Sequence, residues 1–306
     1  MSLLRANLPV LALLLNAVVW GASWWPFRRL QDLGVHPLWA TVVIYFIAVT
    51  LITAMRPKAL REVLRSPALW VLLLAAGATN AAFNWGIVIG DVVRVVLLFY
   101  LMPLWSVLLA RLLLHEAITA SAALRVLLAL AGAAVVLWPD QPMGLDGFSE
   151  RLPLRLPIPH SLADWLGVLG GFCFALNNVM LKREAHRSDE ARALAMFGGG
   201  MVVAGVLALG LAAGGKLPWP PAPAAPWMMI TVAMSALFLV GNLALQYGAS
   251  RLRANVTAVV LVSEVVVAAG TAVAFGAGSL TAQLVVGGSL IVLASLLSAF
   301  QNQAAH

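Results

Sequence analysis

The segment "NVTAVVLVSEVVVAAGTAVAF", residues 255–275, decides the fold class of this chain. It contains a single ionisable side chain, Glu264, among residues that are otherwise mostly Val and Ala. As an α-helix it would be about 30 Å long, which is the thickness of the hydrocarbon core of a bilayer. The segment is therefore typical of a membrane-spanning helix that carries one acid near its middle.

Apolar runs of similar length recur along the whole chain, which is 62% hydrophobic and 10% charged and has a mean hydropathy of +0.96. They are too long for transmembrane β-strands, which cross a bilayer in about 10 residues. We therefore predict an all-α integral membrane protein with ten transmembrane helices. The predicted spans are 8–27, 37–55, 68–90, 92–112, 121–138, 162–181, 191–213, 225–247, 254–276 and 281–300.

The basic residues predict the orientation of these helices. With the N-terminus inside, thirteen of the nineteen Lys and Arg residues fall on the inner side and six on the outer side. This asymmetry satisfies the positive-inside rule, so both termini of the multi-pass protein are predicted to be cytoplasmic. The same distribution explains the sequence pI of about 10.5 without any nucleic-acid partner.

An internal repeat divides the chain into two halves. We predict a first five-helix repeat at 1–138, an external linker at 139–161 and a second five-helix repeat at 162–306. At a constant offset of 162, polar residues of the two halves coincide: Asn80 with Asn242, Asn84 with Gln246, and Thr119 with Thr281. Five is an odd number, so the repeats have inverted topology, which is typical of transporters that work by alternating access.

Amide side chains mark the helix faces that are predicted to point inward, because polar groups avoid lipid. Asn80 and Asn84, like Asn242 and Gln246, are four residues apart and so share one helix face. The first helix repeats this spacing with Asn16 and Trp20, and the sixth carries Asn177 and Asn178. These amides either line a substrate cavity or hydrogen-bond neighbouring helices together.

Aromatic residues near these faces are candidates for the walls of a substrate cavity. They could equally be ordinary packing or membrane-interface residues. The set comprises Trp20, Trp24, Phe83, Trp85, Tyr100 and Phe174.

Glu264 has three interpretations. An ionised acid at the centre of a membrane helix costs about 3 kcal/mol on insertion scales, so the group could be protonated during part of a transport cycle. It could then couple transport to protons, contact the substrate or a gate, or only bond a neighbouring helix.

Other charged residues were assigned to the membrane surfaces. Arg94 beside Asp91 is predicted to form an ion pair at the external rim, or else to attract a substrate carboxylate, and Glu116 is predicted to form an interfacial salt bridge. No nucleotide-binding, zinc-protease or serine-hydrolase motif occurs, and the histidines are scattered, so we predict no enzyme activity, no cofactor and no metal site. The run "FGGGMVVAG" (197–205) predicts close helix packing through small residues.

The segment "LMPLWSVLLARLLLHEAITASAALRVLLALAG" (101–132), set in two five-helix halves, resembles the drug/metabolite transporter superfamily in its EamA-type branch. The resemblance covers the whole chain and rests on Pro103 in the fourth helix, Glu116 before the fifth and a small-residue fifth helix. This chain departs from the pattern in the second half, where Val265 follows Glu264 in place of a proline and Gly278 stands at the position corresponding to Glu116.

Within that superfamily the opening "NAVVWGASWWPFRRL" is similar to the aromatic amino acid exporter group. The resemblance implies export of aromatic amino acids and related metabolites or drugs across a bacterial inner (plasma) membrane. It also implies a cavity bounded by the first, third, fourth, sixth, eighth and ninth helices, with the fifth and tenth as scaffold. The partners implied are a small-molecule substrate and the lipid bilayer, in a monomer, although small residues on the scaffold helices also permit a dimer.

Two alternatives to an amino acid exporter make different predictions for the sequence. A nucleotide-sugar or other metabolite exchanger of the same fold should place basic residues inside the membrane to meet phosphate, and no predicted helix centre contains one. An integral-membrane enzyme should show a cluster of acids, histidines or cysteines at one membrane face, and the sequence predicts none.

Overall fold

The computed structural model describes residues 2–113, 115, 119–138, 158–249, 251 and 260–301. Over this part of the chain the regular secondary structure is entirely α-helical. The helices are α1 (Ser2–Gly21), α2 (Trp24–Asp32), α3 (Pro37–Met55), α4 (Pro57–Arg65), α5 (Pro67–Ile89), α6 (Val92–Phe99), α7 (Met102–Leu113), α8 (Ala120–Val136), α9 (Leu162–Arg183), α10 (Asp189–Ala213), α11 (Ala225–Ala249), α12 (Ser263–Ala274) and α13 (Ala282–Gln301).

The prediction of a multi-pass helical membrane protein is confirmed by the length and composition of these helices. In the part of the chain that the structure describes, seven segments are long and apolar enough to cross a bilayer: Leu8–Asp32, Pro37–Met55, Pro67–Ile89, Val92–Leu113, Leu162–Arg183, Asp189–Ala213 and Ala225–Leu245. The other three predicted spans coincide with shorter apolar helices, Ala122–Val136, Ser263–Ala274 and Ala282–Leu297.

Two of the predicted spans are interrupted next to a proline. The first breaks between α1 and α2, where Pro26 has no N–H to donate to the carbonyl of Ala22. The fourth breaks between α6 and α7, where Pro103 likewise cannot donate to the carbonyl of Phe99. The freed Phe99 carbonyl lies against Gly171 of α9, where a Cβ atom would overlap it.

The ninth predicted span differs from its expected form. A turn at Val262 precedes α12, so Glu264 lies in the first turn of a helix and not at the middle of an uninterrupted one. Residues 252–259 of this span are outside the described part of the chain. The position of Glu264 matters because the N-terminus of a helix stabilises negative charge through the helix dipole.

Small residues bring several helices together backbone to backbone, as the glycine-rich run predicted. A Cβ atom on Gly199 of α10 would overlap the Leu73 carbonyl oxygen of α5, and one on Gly77 of α5 would overlap the Gly199 carbonyl oxygen. Similarly, a Cβ atom on Gly132 of α8 would lie 2.6 Å from the carbonyl oxygen of Gly287 in α13. α5 packs most extensively against α9 and α10, α1 against α11 and α12, and α8 against α13.

Candidate functional site

Asn80 and Asn84 share a face of α5, as their spacing predicted, and both bond to α3. The Tyr45 hydroxyl donates to Asn80 Oδ1 at 2.6 Å, and Asn80 Nδ2 donates to the Ala76 carbonyl at 2.8 Å. Asn84 Nδ2 donates to Thr41 Oγ1 at 3.0 Å. Both amides therefore tie helices together, while the buried Asn84 Oδ1 has no hydrogen-bond partner among the described residues.

Two further predicted amides are buried with an unpartnered oxygen. Asn16 of α1 and Asn177 of α9 are almost fully buried, and neither Oδ1 atom accepts a hydrogen bond from the part of the chain described. Asn16 Oδ1 lies against α11, 3.6 Å from where a Cβ atom on Gly241 would sit. Buried polar atoms are normally hydrogen-bonded, so each of these oxygens can accept a donor from water or from a ligand.

The remaining predicted amides are less enclosed. Asn178 follows Asn177 on α9 and is exposed, with its Oδ1 3.5 Å from Asn177 Nδ2. Asn242 is partly buried on α11. The side chain of Gln246 lies outside the described part of the chain. The structure therefore brings Asn80 and Asn84 together and distributes the other amides over α1, α9 and α11.

A first aromatic group joins α1, α3, α10 and α11. The Trp20 ring stacks on Phe238 of α11 with centroids 4.4 Å apart, and Phe238 in turn stacks on Tyr45 at 6.1 Å. Phe197 of α10 lies 5.5 Å from Tyr45. Phe238 is not among the residues predicted from the sequence, although its position four residues before Asn242 places both on one face of α11.

A second aromatic group joins α5, α6 and α9. The centre of this group is Phe99, whose ring centroid lies 4.9 Å from Phe83, 5.2 Å from Phe174 and 6.1 Å from Tyr100. Phe83, Phe174 and Tyr100 were predicted and Phe99 was not. The two aromatic groups belong to one continuous hydrophobic core.

The other two predicted aromatic residues lie at different places. Trp24 donates from Nε1 to Thr271 Oγ1 of α12 at 3.0 Å and borders a surface pocket. Trp85 packs in a separate cluster with Leu38 and Ala204, and its ring makes an edge contact with His36 at 5.3 Å. Trp24 and Trp85 make no ring contact with a described residue of the first or the second aromatic group.

Glu264 meets Tyr100 between two helix interruptions. The partly buried Glu264 is hydrogen-bonded to the Tyr100 side chain. The Tyr100 hydroxyl also lies 3.5 Å from the Leu261 carbonyl oxygen. Tyr100 follows the last residue of α6, and Glu264 is in the first turn of α12. A carboxyl group, a phenol and a peptide carbonyl are thus concentrated where two membrane helices begin or end.

Arg94 is held in a different ion pair from the predicted one. Its Nε and Nη2 atoms donate to Asp164 at 2.7 and 3.0 Å, and its Nη1 donates to the Val136 carbonyl at 2.7 Å. Asp91 instead accepts a hydrogen bond from the backbone N–H of Arg94 at 2.9 Å. All three guanidinium nitrogens are used within the protein, which argues against Arg94 as a receptor for a substrate carboxylate.

Two further predictions concern charged and metal-binding residues. Glu116 lies outside the described part of the chain, so its interfacial salt bridge stays a prediction. In the part that the structure describes, no three His, Cys, Asp or Glu side chains are grouped so that they could hold a metal ion.

Comparison with known proteins connects this geometry to a family. Residues 7–138 match the EamA-like transporter family. No curated protein matches the sequence. One of fifteen matching solved chains, described as "Crystal structure of protein", aligns with 97% of this chain and 99% of its own length, with a TM-score of 0.57 and 17% sequence identity. At that identity the likeness concerns the fold alone.

The family match covers all of the predicted first repeat except its first residues, including the α6–α7 interruption. It does not single out aromatic amino acid exporters within the family, and that assignment stays a prediction. Over residues 7–138 the chain is similar to the EamA-like transporter family, which is consistent with the predicted resemblance to the drug/metabolite transporter superfamily.

Proposed function

We propose that this protein exports amino acids, preferentially aromatic ones, and related small metabolites or drugs by alternating access, with Glu264 coupling export to protons. The observation that carries the proposal is the contact between Glu264 and Tyr100 inside a membrane protein with an EamA-like domain. An acid that can bind and release a proton, placed where membrane helices are interrupted, is the arrangement that ion-coupled transporters use.

Packing supports the proposed inverted repeat. α5 packs on α9, and α11, which contains the residues matched to α5 at the offset of 162, packs on α1. In the same way α6 and α7 pack on α9, and α12 packs on α1. Each of these contacts has a counterpart in the other half, and this reciprocal packing supports two repeats related by a pseudo-two-fold axis.

Local features at the same offset support the repeat as well. Thr119 Oγ1 accepts a hydrogen bond from the Ala122 N–H at 3.2 Å, and Thr281 Oγ1 accepts one from the Leu284 N–H at 3.2 Å. Thr119 directly precedes α8 and Thr281 directly precedes α13, the two helices that the resemblance assigns to the scaffold. The turn at Val262 also corresponds in sequence to Tyr100, where the α6–α7 interruption begins.

The central side chains favour an aromatic solute with an amino group. The faces of the Trp20, Phe83 and Phe174 rings provide apolar surface for stacking. The unpartnered amide oxygens of Asn16 and Asn177 accept hydrogen bonds, as an ammonium group would require. Contact of the substrate with these residues is part of the proposal.

The orientation is tested by labelling two introduced cysteines with a membrane-impermeant maleimide in intact cells whose outer membrane has been permeabilised. Lys216→Cys, in the proposed external loop, should react, and His186→Cys, on the proposed cytoplasmic side, should react only after lysis. Both positions are exposed, and the native Cys173 is buried, so the parent protein is the blank. Labelling of His186→Cys in intact cells would contradict cytoplasmic termini.

Transport is tested in proteoliposomes with labelled tryptophan, phenylalanine, threonine and a nucleotide sugar, with and without a pH gradient. We expect the two aromatic amino acids to be transported fastest and the gradient to accelerate them. Glu264→Gln should abolish the gradient response and, by removing a charged hydrogen bond worth about 1.5–3 kcal/mol, lower flux about tenfold or more. Glu190→Gln, which removes an acid from a surface pair with Arg56, is the matched control and should transport normally.

Three other outcomes would contradict parts of this proposal. Unchanged gradient dependence in Glu264→Gln would assign the proton to another group. Flux indifferent to both the gradient and the variant would make the protein a facilitator, with Glu264 as a structural hydrogen-bonding group. Transport of the nucleotide sugar alone would overturn the amino acid assignment.

A further inference from the structure

A pocket of about 450 Å³ lies on the edge of the bundle, between α2 and the chain that follows α12. Its size falls within the range of sites that bind small molecules. It is lined by Trp24, Trp25, Arg28, Arg29, Asp32 and Phe275, with Gly276 and Ala277. In the proposed orientation it opens at the external face, outside the central aromatic groups.

The pocket combines a fixed floor with exposed aromatic walls. Trp24 forms the floor, where it is buried and held by its hydrogen bond to Thr271. The walls are Trp25, which is 53% exposed, and Phe275, which is 68% exposed. The ring centroids of Trp24 and Phe275 are 6.2 Å apart. Two large aromatic side chains exposed beside one cavity offer apolar surface that the protein itself leaves uncovered.

Arg28 brings to this pocket a positive charge that has no directly paired carboxylate among the described residues. Its Nε donates to the Ile87 carbonyl at 3.1 Å and its Nη2 to the Gly90 carbonyl at 2.6 Å, which holds the side chain partly buried. Its guanidinium carbon lies 5.6 Å from the centre of the Trp24 ring. Among the described residues no carboxylate lies within ion-pair distance of Arg28.

The acids near Arg28 are engaged elsewhere. Asp32 pairs with Arg29 at 3.5 Å, and Asp91 accepts hydrogen bonds from the N–H groups of Arg94 and Ser279. They act on Arg28 only at longer range. Arg28 is therefore held by carbonyl groups at the C-terminal end of α5 and has no direct carboxylate partner, so its remaining donor can meet an anion.

We propose that this pocket binds an anionic amphiphile, with its acidic group on Arg28 and its apolar or aromatic body between Trp25 and Phe275. The guanidinium retains Nη1 for a charge-assisted hydrogen bond to a carboxylate or phosphate. The ligand could be an aromatic carboxylate in solution or the phosphate of a membrane lipid, because both present the same chemistry to these residues. The site is separate from the Glu264–Tyr100 contact and does not depend on the transport proposal.

Two measurements on the full-length protein in detergent distinguish the sources. The first is equilibrium binding of indole-3-acetate, with the neutral indole-3-acetamide as the matched probe. The second is native mass spectrometry of retained phosphatidylglycerol, with phosphatidylcholine as the comparison. Indole-3-acetate binding at least tenfold tighter than that of the amide assigns a soluble carboxylate, since one charge-assisted hydrogen bond accounts for about that factor. Preferential retention of phosphatidylglycerol assigns a lipid.

Three variants decide whether the bound molecule occupies this pocket. Arg28→Gln should abolish the preference for the anionic ligand, and Phe275→Ala should weaken binding about tenfold by removing the exposed wall. Arg28 also hydrogen-bonds α2 to the end of α5, so its replacement can destabilise the fold. Phe275→Ala avoids this problem, because the exposed Phe275 ring can be removed without unfolding the protein. Lys216→Gln removes an exposed charge outside the pocket and should bind like the parent. Binding of neither ligand, or binding unaffected by both Arg28→Gln and Phe275→Ala, would overturn the proposal.

Discussion

Asp164→Asn is expected to lower the free energy of unfolding by about 3–5 kcal/mol, the cost of leaving one partner of a buried ion pair unpaired. The Asp164 side chain is 3% exposed and accepts hydrogen bonds from two Arg94 nitrogens and from the His160 N–H. For a chain of this size the loss corresponds to a fall of about 5–8 °C in apparent Tm. Fluorescence-detected size exclusion after heating in detergent measures it.

Two further variants test whether the unpaired charge of Arg94 causes this loss of stability. Asp189→Asn removes an acid that also pairs with an arginine, Arg192, but is 69% exposed, and it should cost less than about 1 kcal/mol. The double variant Asp164→Asn, Arg94→Met should recover part of the loss, because no charge then remains unpaired. An Asp164→Asn protein as stable as the parent would mean that water compensates Arg94.

Gly199→Ala is expected to be the most disruptive methyl addition in the glycine run of α10. The new Cβ would overlap the Leu73 carbonyl oxygen, and a backbone atom of a neighbouring helix cannot rotate away. Separating α5 from α10 should cost about 3 kcal/mol or more, at the upper end of overpacking effects, and should produce aggregated protein. The yield of monodisperse protein and the apparent Tm test this expectation.

Gly210→Ala is the matched control, since it makes the same change in the same helix. No atom lies within 4 Å of the Cβ it would add. Alanine favours a helix over glycine by about 1 kcal/mol, so this variant should be as stable as the parent or slightly more so. Equal damage from both substitutions would indicate that α10 requires glycine for reasons other than its contact with α5.

Hydropathy predicted seven described segments that are long and apolar enough to cross a bilayer, because burial in lipid requires about 20 apolar helical residues, whereas the other three predicted spans coincide with shorter helices. It did not predict where spans are interrupted, since a window that averages hydropathy passes over a turn of two residues. The prolines near two of the breaks, Pro26 and Pro103, were visible in the sequence. The turn at Val262 has no such residue, and we have no physical account of it from the sequence.

The candidate site was predictable only where a contact lies on one helix. The spacing of Asn80 and Asn84 predicted their common face, but which helix that face meets depends on packing. Arg94 shows why sequence proximity does not predict an ion pair. Asp91 is the nearest acid in the sequence, but the ion-pair partner of Arg94 is Asp164. Contacts between distant parts of the chain, such as Tyr100 with Glu264, require the tertiary structure.

His36 caps α3 and contacts Trp85, and its protonation state determines how well this cap tolerates acid. Its Nδ1 accepts a hydrogen bond from the Leu38 N–H at 3.2 Å, which only an unprotonated nitrogen can do. Burial lowers the pKa of His36 from 6.5 to about 4. Because the folded-state pKa is the lower one, the stability that this cap contributes is complete above pH 6.5 and is lost as the pH falls through about 4. The cap therefore persists in mildly acidic surroundings, and a change in transport rate near neutral pH has to originate from a group other than His36.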